Sequence, residues 1–543
     1  MFTDVARRGH RTRTRPRSVA AVTLLTFHGL RSFVRSPVAA FFTVGLPVVF
    51  LVLLAGLFGN EVVASRDGVS LAQSLTPALA VFGAAQAAFC LLAAETARLR
   101  ENGVFKRLRA APVAPWTLLA GRLGTSTVIA VGAAVLVFAV GVACYGVDVA
   151  WRGLPAAVVT LVVGVAAFAA LGLAVVSLVP GATAVQALTN GLLITLAFVS
   201  DVFLVGARMP ESFDRLGWVL PLRHFAAAMF DATNLTAPGS GFRSGSLLVL
   251  AAWGVAGGVV AVRRFSWESP NHPAPRPAVA ASRRPAALHR EVTGHPSLPA
   301  TLGAQVGYAW RGLRRDGSAV FFALIFPVIL LALFPVLTAP PGAARTAAAA
   351  ALLPGMATYG LAVTVYSVIP SGIAQARERR ALARLAATPM AFWAYVTGRV
   401  VVGLAAPAAT ALALSTVAVA GFGVRVDLTR LPTLTLVFMV AGSCFAALGF
   451  AVLAMARRVQ TVIAVTLGSL LSLSFISDVF VVGAAMPDVL EVTASLLPLE
   501  HAAHAMATAF TAGGGFPTVD VLVLLAWTAG GLLLARRIHW VAD

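Results

Sequence analysis

Apolar residues run in two series of stretches too long for a soluble core: near 38–58, 75–97, 118–145, 154–178, 183–206 and 246–264, then near 318–338, 352–375, 395–422, 431–455, 460–483 and 518–535. A membrane-crossing helix needs about 20 such residues, and in lipid the backbone groups must be satisfied within helices or a closed barrel. The pattern therefore predicts an all-α membrane protein of twelve crossings, six in each series. Between the series the chain turns to Pro270, Pro273, Pro275, Pro277, Pro285, Pro296 and Pro299 mixed with Arg and His, a composition unable to bury a core. The expected organisation is a basic tail and interface helix (1–37), a first six-span unit (38–265), a linker (266–300) and a second six-span unit (301–543).

The two units are copies. Phe198-Val-Ser-Asp-Val-Phe-Leu-Val-Gly-Ala-Arg-Met-Pro210 matches Phe475-Ile-Ser-Asp-Val-Phe-Val-Val-Gly-Ala-Ala-Met-Pro487 at ten of thirteen positions. Pro47 meets Pro327, Pro77 meets Pro354, Pro112 meets Pro389, Trp116 meets Trp393 and Arg122 meets Arg399. Six spans is an even number, so the second unit enters the membrane as the first does, and the repeats are parallel, related by an axis along the membrane normal.

Composition narrows the function. The chain is 59% hydrophobic and 11% charged, with a mean hydropathy of +0.88, whereas soluble proteins run near 25% charged. Its only lysine, Lys106, follows Phe105, so no Gly-Lys-Ser/Thr phosphate loop is present and ATP is not bound by that route. Cys90, Cys144 and Cys444 fall in apolar runs without metal or disulfide spacing and read as small hydrophobes. The net charge of +20 reads as membrane sidedness rather than as a nucleic-acid surface. With the N-terminus inside, most basic residues fall on the cytoplasmic side, which places both termini in the cytoplasm. Arg7, Arg8, Arg11, Arg13, Arg15 and Arg17 then anchor the topology on anionic lipid, at about 1 kcal/mol each.

Two cytoplasmic segments stand out: 98–115 with its continuation to Arg122, and 375–393 with its continuation to Arg399. Each is a short helix of charged and apolar residues stopped by a proline, suited to the interface plane or to the groove of a soluble partner. Here the sequence resembles the permease subunits of ABC-2 type exporters, including the daunorubicin-resistance type of drug exporter. The family pattern is an acidic residue, a glycine two places on, a basic-Leu pair, a proline, then Gly-Arg/Lys opening span three. Glu101, Gly103, Arg107, Leu108, Pro112, Gly121 and Arg122 fit it, as do Glu378, Arg384, Leu385, Pro389, Gly398 and Arg399, with Arg380 in place of the second glycine. The resemblance implies a plasma-membrane transport subunit with no enzymatic activity or cofactor of its own. Two copies of a separate ATPase subunit would bind ATP and dock on these loops and on the lead-in segments 23–36 and 304–317, the first loop mattering more. The cargo expected from the apolar spans is a hydrophobic or amphipathic compound drawn from the membrane.

Asp201 and Asp478 end the fifth span of each unit. Two readings are open: they line an exit gate near the twofold-like axis, or they are N-caps at which the span breaks before a re-entrant segment. In relatives glycine often stands there. Pro221 with His224 and Pro498 with His501 follow in the outer loop, counted with the gate; His501 and His504 share a helical face, and a structural cap is favoured over a metal site. A secondary transporter of the major-facilitator type has the same topology, but its loop between spans two and three carries a different Gly/Asp/Arg pattern.

Overall fold

The computed structural model describes residues 18–57, 62–63, 68–109, 115–203, 205, 210–236, 239–266, 298–382, 392–480, 488–511 and 513–536. Among them are 12 helices long and apolar enough to cross a membrane. Spans one to six are Pro37–Gly56, Leu71–Glu101, Trp116–Tyr145, Trp151–Leu178, Ala182–Val199 and Ser244–Arg264; spans seven to twelve are Gly317–Thr338, Ala343–Glu378, Trp393–Phe422, Leu428–Met455, Val459–Ile476 and Thr518–Ala535. The only extended pairing among the described residues is Val62–Val63 with Val69–Ser70, between spans one and two.

Spans two and eight form the middle of each unit. Their most apolar windows are 89% and 83% buried, against 22% in spans six and twelve. Small residues explain this: Ala84, Ala85, Ala87 and Ala88 are wholly inaccessible, and such side chains let helix backbones approach closely where no hydrophobic drive separates helix from lipid. Spans six and twelve instead turn residues such as Leu248, Val262 and Leu533 outward, as lipid-facing surfaces do.

The duplication extends to helix irregularities. Spans one and seven each begin with a wide turn, Phe41–Gly45 and Phe321–Ile325, and spans two and eight carry one at Gln86–Leu91 and Val363–Val368. In the latter pair Pro77 and Pro354 lie inside the same helix upstream. Local i→i+5 winding of this kind inserts a residue into the ladder and bends the helix.

Two expectations are corrected. The fifth spans end at Val199 and Ile476, short of the apolar run, because the chain turns back at Asp201 and Asp478. Pro221 and Pro498 do not lie in loops: each opens a helix, Pro221–Thr233 and Pro498–Phe510, at the first position, where proline's missing N–H costs nothing. These helices bury Leu222, Phe225 and Met229, and Leu499 and Met506, against the spans. The lead-in helices span Ser18–Val34 and Leu298–Arg315.

The units exchange contacts reciprocally: span five packs against span seven, and span eleven against span one. At the crossings a phenylalanine of each wide turn meets a glycine of the other unit. A Cβ on Gly191 would come within 2.7 Å of the Phe321 ring, and one on Gly468 within 3.3 Å of the Phe41 ring.

Candidate functional site

Between the units lies a cavity closed by aromatic rings. Phe42, Phe50, Phe82, Phe198 and Phe203 face Phe322, Phe326, Phe334, Phe475 and Phe480 across it. Phe50 bridges the halves, its centroid 5.1 Å from Phe203 and 4.8 Å from Phe475, and Phe475 lies 5.1 Å from Phe480, all edge to face. The free space is about 110 Å³, below the roughly 300–1,000 Å³ of sites for drug-sized ligands. Gln86 Nε2 donates to Asn190 Oδ1 at 3.3 Å, and both side chains line the cavity. The matching residues of the second unit are Val363 and Leu467, so the polar pair stands on one side of an apolar chamber.

The aspartates explain how the rings get there. Asp201 and Asp478 have φ of 57° and 50°, the left-handed region that glycine enters freely and Asp or Asn more readily than other residues. In the first unit Val202 N–H donates to Ala197 O at 3.1 Å, closing the C-terminal end of span five; in the second, Phe480 N–H donates to Ser474 O at 3.0 Å. The turn thus ends a helix rather than starting one, and it throws Phe203 and Phe480 back onto the cavity. Neither carboxylate is part of the lining.

Beyond this turn the halves differ in charge. His224 Nε2 bonds Trp218 O at 2.8 Å and its Nδ1 bonds Ser246 Oγ at 3.1 Å. His501 Nε2 bonds Ser495 O at 2.9 Å, while its Nδ1 and that of His504 each lie 2.8 Å from an oxygen of Asp520. Asp520, which stands where the first unit has Ser246, thus meets two imidazoles where the first unit has one imidazole on a hydroxyl. Among the described residues no three His, Cys, Asp or Glu side chains are arranged to hold a metal. Arg223 pairs with Asp214 at 2.5 Å, but the matching residues are Glu500 and Glu491. Burial first, then Asp478, pushes the Glu500 carboxyl above the usual range.

At the opposite end of span five, consecutive residues tie three helices together. Arg100 Nη1 and Nη2 donate to Val176 O (2.6 Å) and Val179 O (2.9 Å), carbonyls left open at the end of span four. Glu101 Oε1 accepts from Ala182 N–H at 2.7 Å, the first residue of span five. The second unit repeats the device: Arg377 donates to Leu453 O and Ala456 O, and Glu378 Oε1 accepts from Val459 N–H at 2.7 Å. Each Arg-Glu pair thus clamps the end of span two or eight onto the turn between the next two spans, with opposite charges at the two helix ends that attract them. Two residues on, Gly103 and Arg380 share the left-handed turn, with φ of 65° and 53°, so the missing glycine does not change the local path. Arg107 is exposed and donates to Asn102 O. Pro112, Arg384 and Pro389 lie outside the described residues.

Gly121 and Gly398 are docking points for the lead-in helices: a Cβ would stand 2.6 Å from Leu25 Cβ and 2.7 Å from Gln305 Cβ. The arginines beside them diverge. Arg122 shares a small pocket with Glu95, whereas Arg399 lies over the Tyr395 ring at 5.0 Å, against Gly372. Sequence reasoning missed Arg100 and Arg377, although both repeat in register beside the acidic residue. It also missed the phenylalanines, which composition hides among other apolar residues.

A family profile for the ABC-2 type transporter matches residues 20–233 and 303–511, one copy in each unit. No protein of curated function matches the sequence. With its twelve membrane-crossing helices and its two copies of the domain, the chain belongs to the ABC-2 type transporter family, as a multi-pass membrane permease.

Proposed function

We propose that this permease is a complete export channel for a hydrophobic or amphipathic compound of the kind handled by daunorubicin-resistance exporters, driven by two copies of a separate ATPase. The observation that carries this reading is the chamber between the units: ten phenylalanines with one amide pair suit an apolar or cationic aromatic cargo, through ring packing and cation–π attraction. The same chamber offers a sugar or peptide few polar partners.

In this reading the ATPases dock on the cytoplasmic side, where both termini lie, against residues 98–115 and 375–393. Glu101, Gly103, Arg107, Pro112 and Arg122, with Glu378, Arg384, Pro389 and Arg399, form the coupling surface. The Arg-Glu clamp passes its movement to span five, a lever of 18 residues, roughly 27 Å at 1.5 Å per residue, whose far end carries Phe198 and, across the aspartate turn, Phe203. Asp201 and Asp478 act on the gate through that turn, and the helices begun by Pro221 with His224 and Pro498 with His501 brace it. Proteoliposomes holding the chain with and without its ATPase, loaded with a lipophilic fluorescent cation, test the proposal. ATP-dependent export that needs both proteins supports it; efflux driven by a proton gradient with this chain alone overturns it.

A further inference from the structure

The pocket at the start of span nine differs from its counterpart at span three. In the first unit Arg122 and Glu95 share about 40 Å³. In the second the matching carboxylate is absent, because Gly372 stands where the first unit has Glu95, and the space opens to about 660 Å³. Arg311 and Arg315 of the lead-in helix, Arg379 after span eight and Arg399 of span nine line it, with Thr183 closing it from the first unit. The one acid in that lining, Asp316, is engaged in capping, its Oδ1 accepting from Ser318 Oγ and Ala319 N–H. None of the four guanidinium groups forms an ion pair among the described residues, and Arg399 Nε is buried without a hydrogen-bond partner.

Four arginines line this cavity with one carboxylate that is already engaged; Arg311 Nε donates to Gly307 O and Arg399 lies over the Tyr395 ring, and the remaining guanidinium donors leave a positive lining whose forks match the oxygens of a phosphate. The lead-in helix that forms one wall contributes Tyr308 to the lining and exposes Trp310 elsewhere on its surface, the side chains favoured at the level of lipid headgroups. We propose that this cavity binds a phosphate-bearing anion, the headgroup of an anionic phospholipid, in the second unit only. A lipid held there would touch the lead-in helix, the end of span eight and the start of span five at once, so membrane composition would bear on how the two units move against each other.

The test uses the full chain in nanodiscs of phosphatidylcholine with a minor fraction of phosphatidylglycerol, with bound lipid counted by native mass spectrometry. Gly372→Glu restores the carboxylate of the first unit. An added Cβ at Gly372 meets only the flexible end of Arg399, at 2.6 Å, and the replacement favours the helix. Arg311→Gln and Arg379→Gln are the second line, each checked for wild-type elution. The expected result is at least a tenfold loss of phosphatidylglycerol retention in Gly372→Glu and a smaller loss in each glutamine variant. Thermal shift with glycerol 3-phosphate or inorganic phosphate separates the sources: stabilisation of the wild type but not of Gly372→Glu by these soluble anions means that the headgroup chemistry suffices, and lipid retention without it means that the acyl chains contribute. Equal retention in wild type and all three variants, with no effect of soluble phosphate, overturns the proposal.

Discussion

Replacing Glu101 or Glu378 by alanine tests whether the acidic residue of each loop acts by holding the span whose first N–H it accepts from, span five or span eleven. Each carboxylate accepts from the first N–H of a helix at 2.7 Å, and loss of a side-chain cap costs about 0.5–2 kcal/mol. Opening of the first turn should then become about 2- to 30-fold more frequent, since 1.4 kcal/mol is tenfold. Glu101 is half-buried and Glu378 exposed, so Glu101→Ala belongs at the upper end of that range and Glu378→Ala at the lower. Hydrogen exchange read by mass spectrometry on peptides covering Ala182 and Val459 measures the opening directly, and ATP-dependent export with the partner ATPase measures the consequence. Glutamine at either position keeps an acceptor oxygen and should fall between wild type and alanine in both assays. If the alanine variants exchange like wild type at both turns yet lose export, the carboxylates work by touching the partner, and the clamp is incidental to coupling.

Four further outcomes follow from the geometry. Gly191→Ala should destabilise the junction of the units by about 1–3 kcal/mol through overpacking against Phe321, and Gly468→Ala by less, as the difference in thermal midpoint of the purified chain; equal midpoints would refute the ranking. Phe203→Ala with Phe480→Ala should open the chamber, so that liposomes holding the double variant leak a small apolar dye without ATP. Asp201→Gly and Asp201→Asn should both keep the left-handed turn and export normally, while Asp201→Ala loses stability by about 1–2 kcal/mol; loss of export in the glycine and asparagine variants alike would assign the carboxylate a direct part in the gate. Glu500, whose folded-state carboxyl is raised by burial and Asp478, binds its proton more tightly folded than unfolded. It therefore destabilises the fold as pH rises through the window between the ordinary and the raised value, and Glu500→Gln should flatten the pH dependence of the thermal midpoint above pH 4.5, the ordinary value.

The crossings, their duplication and the family were legible in the sequence because each rests on a signal spread over many residues. Apolar runs of about 20 residues have one physical solution in a bilayer, and ten identities in thirteen at Phe198–Pro210 mark a segment under a geometric demand. What the demand was could not be read, since a left-handed turn is a property of φ and aspartate has several uses. The same limit applies to Glu101: spacing placed it on a cytoplasmic helix, but its partner, Ala182 N–H, lies 81 residues away. Pro221 and Pro498 were misplaced for a local reason, as a proline between two spans reads as loop until the buried face of the helix it opens is seen.

The two units agree in backbone and disagree in charge, and the reciprocal packing explains both. Span five of each unit must fit the wide turn of the other, so a change in the path of either displaces both crossings; the paired turns accordingly differ by 7° at Asp201 and Asp478 and 12° at Gly103 and Arg380. Side chains away from the crossings carry no such constraint. Gln86 and Asn190 correspond to Val363 and Leu467, Glu95 to Gly372, Arg223 with Asp214 to Glu500 with Glu491, and Ser246 to Asp520. Two identical subunits would repeat every such change on both sides of the axis. A fused chain places one amide pair beside the chamber, one open arginine cavity and one His-Asp cluster on single sides of it, which gives an otherwise twofold arrangement a distinguishable left and right.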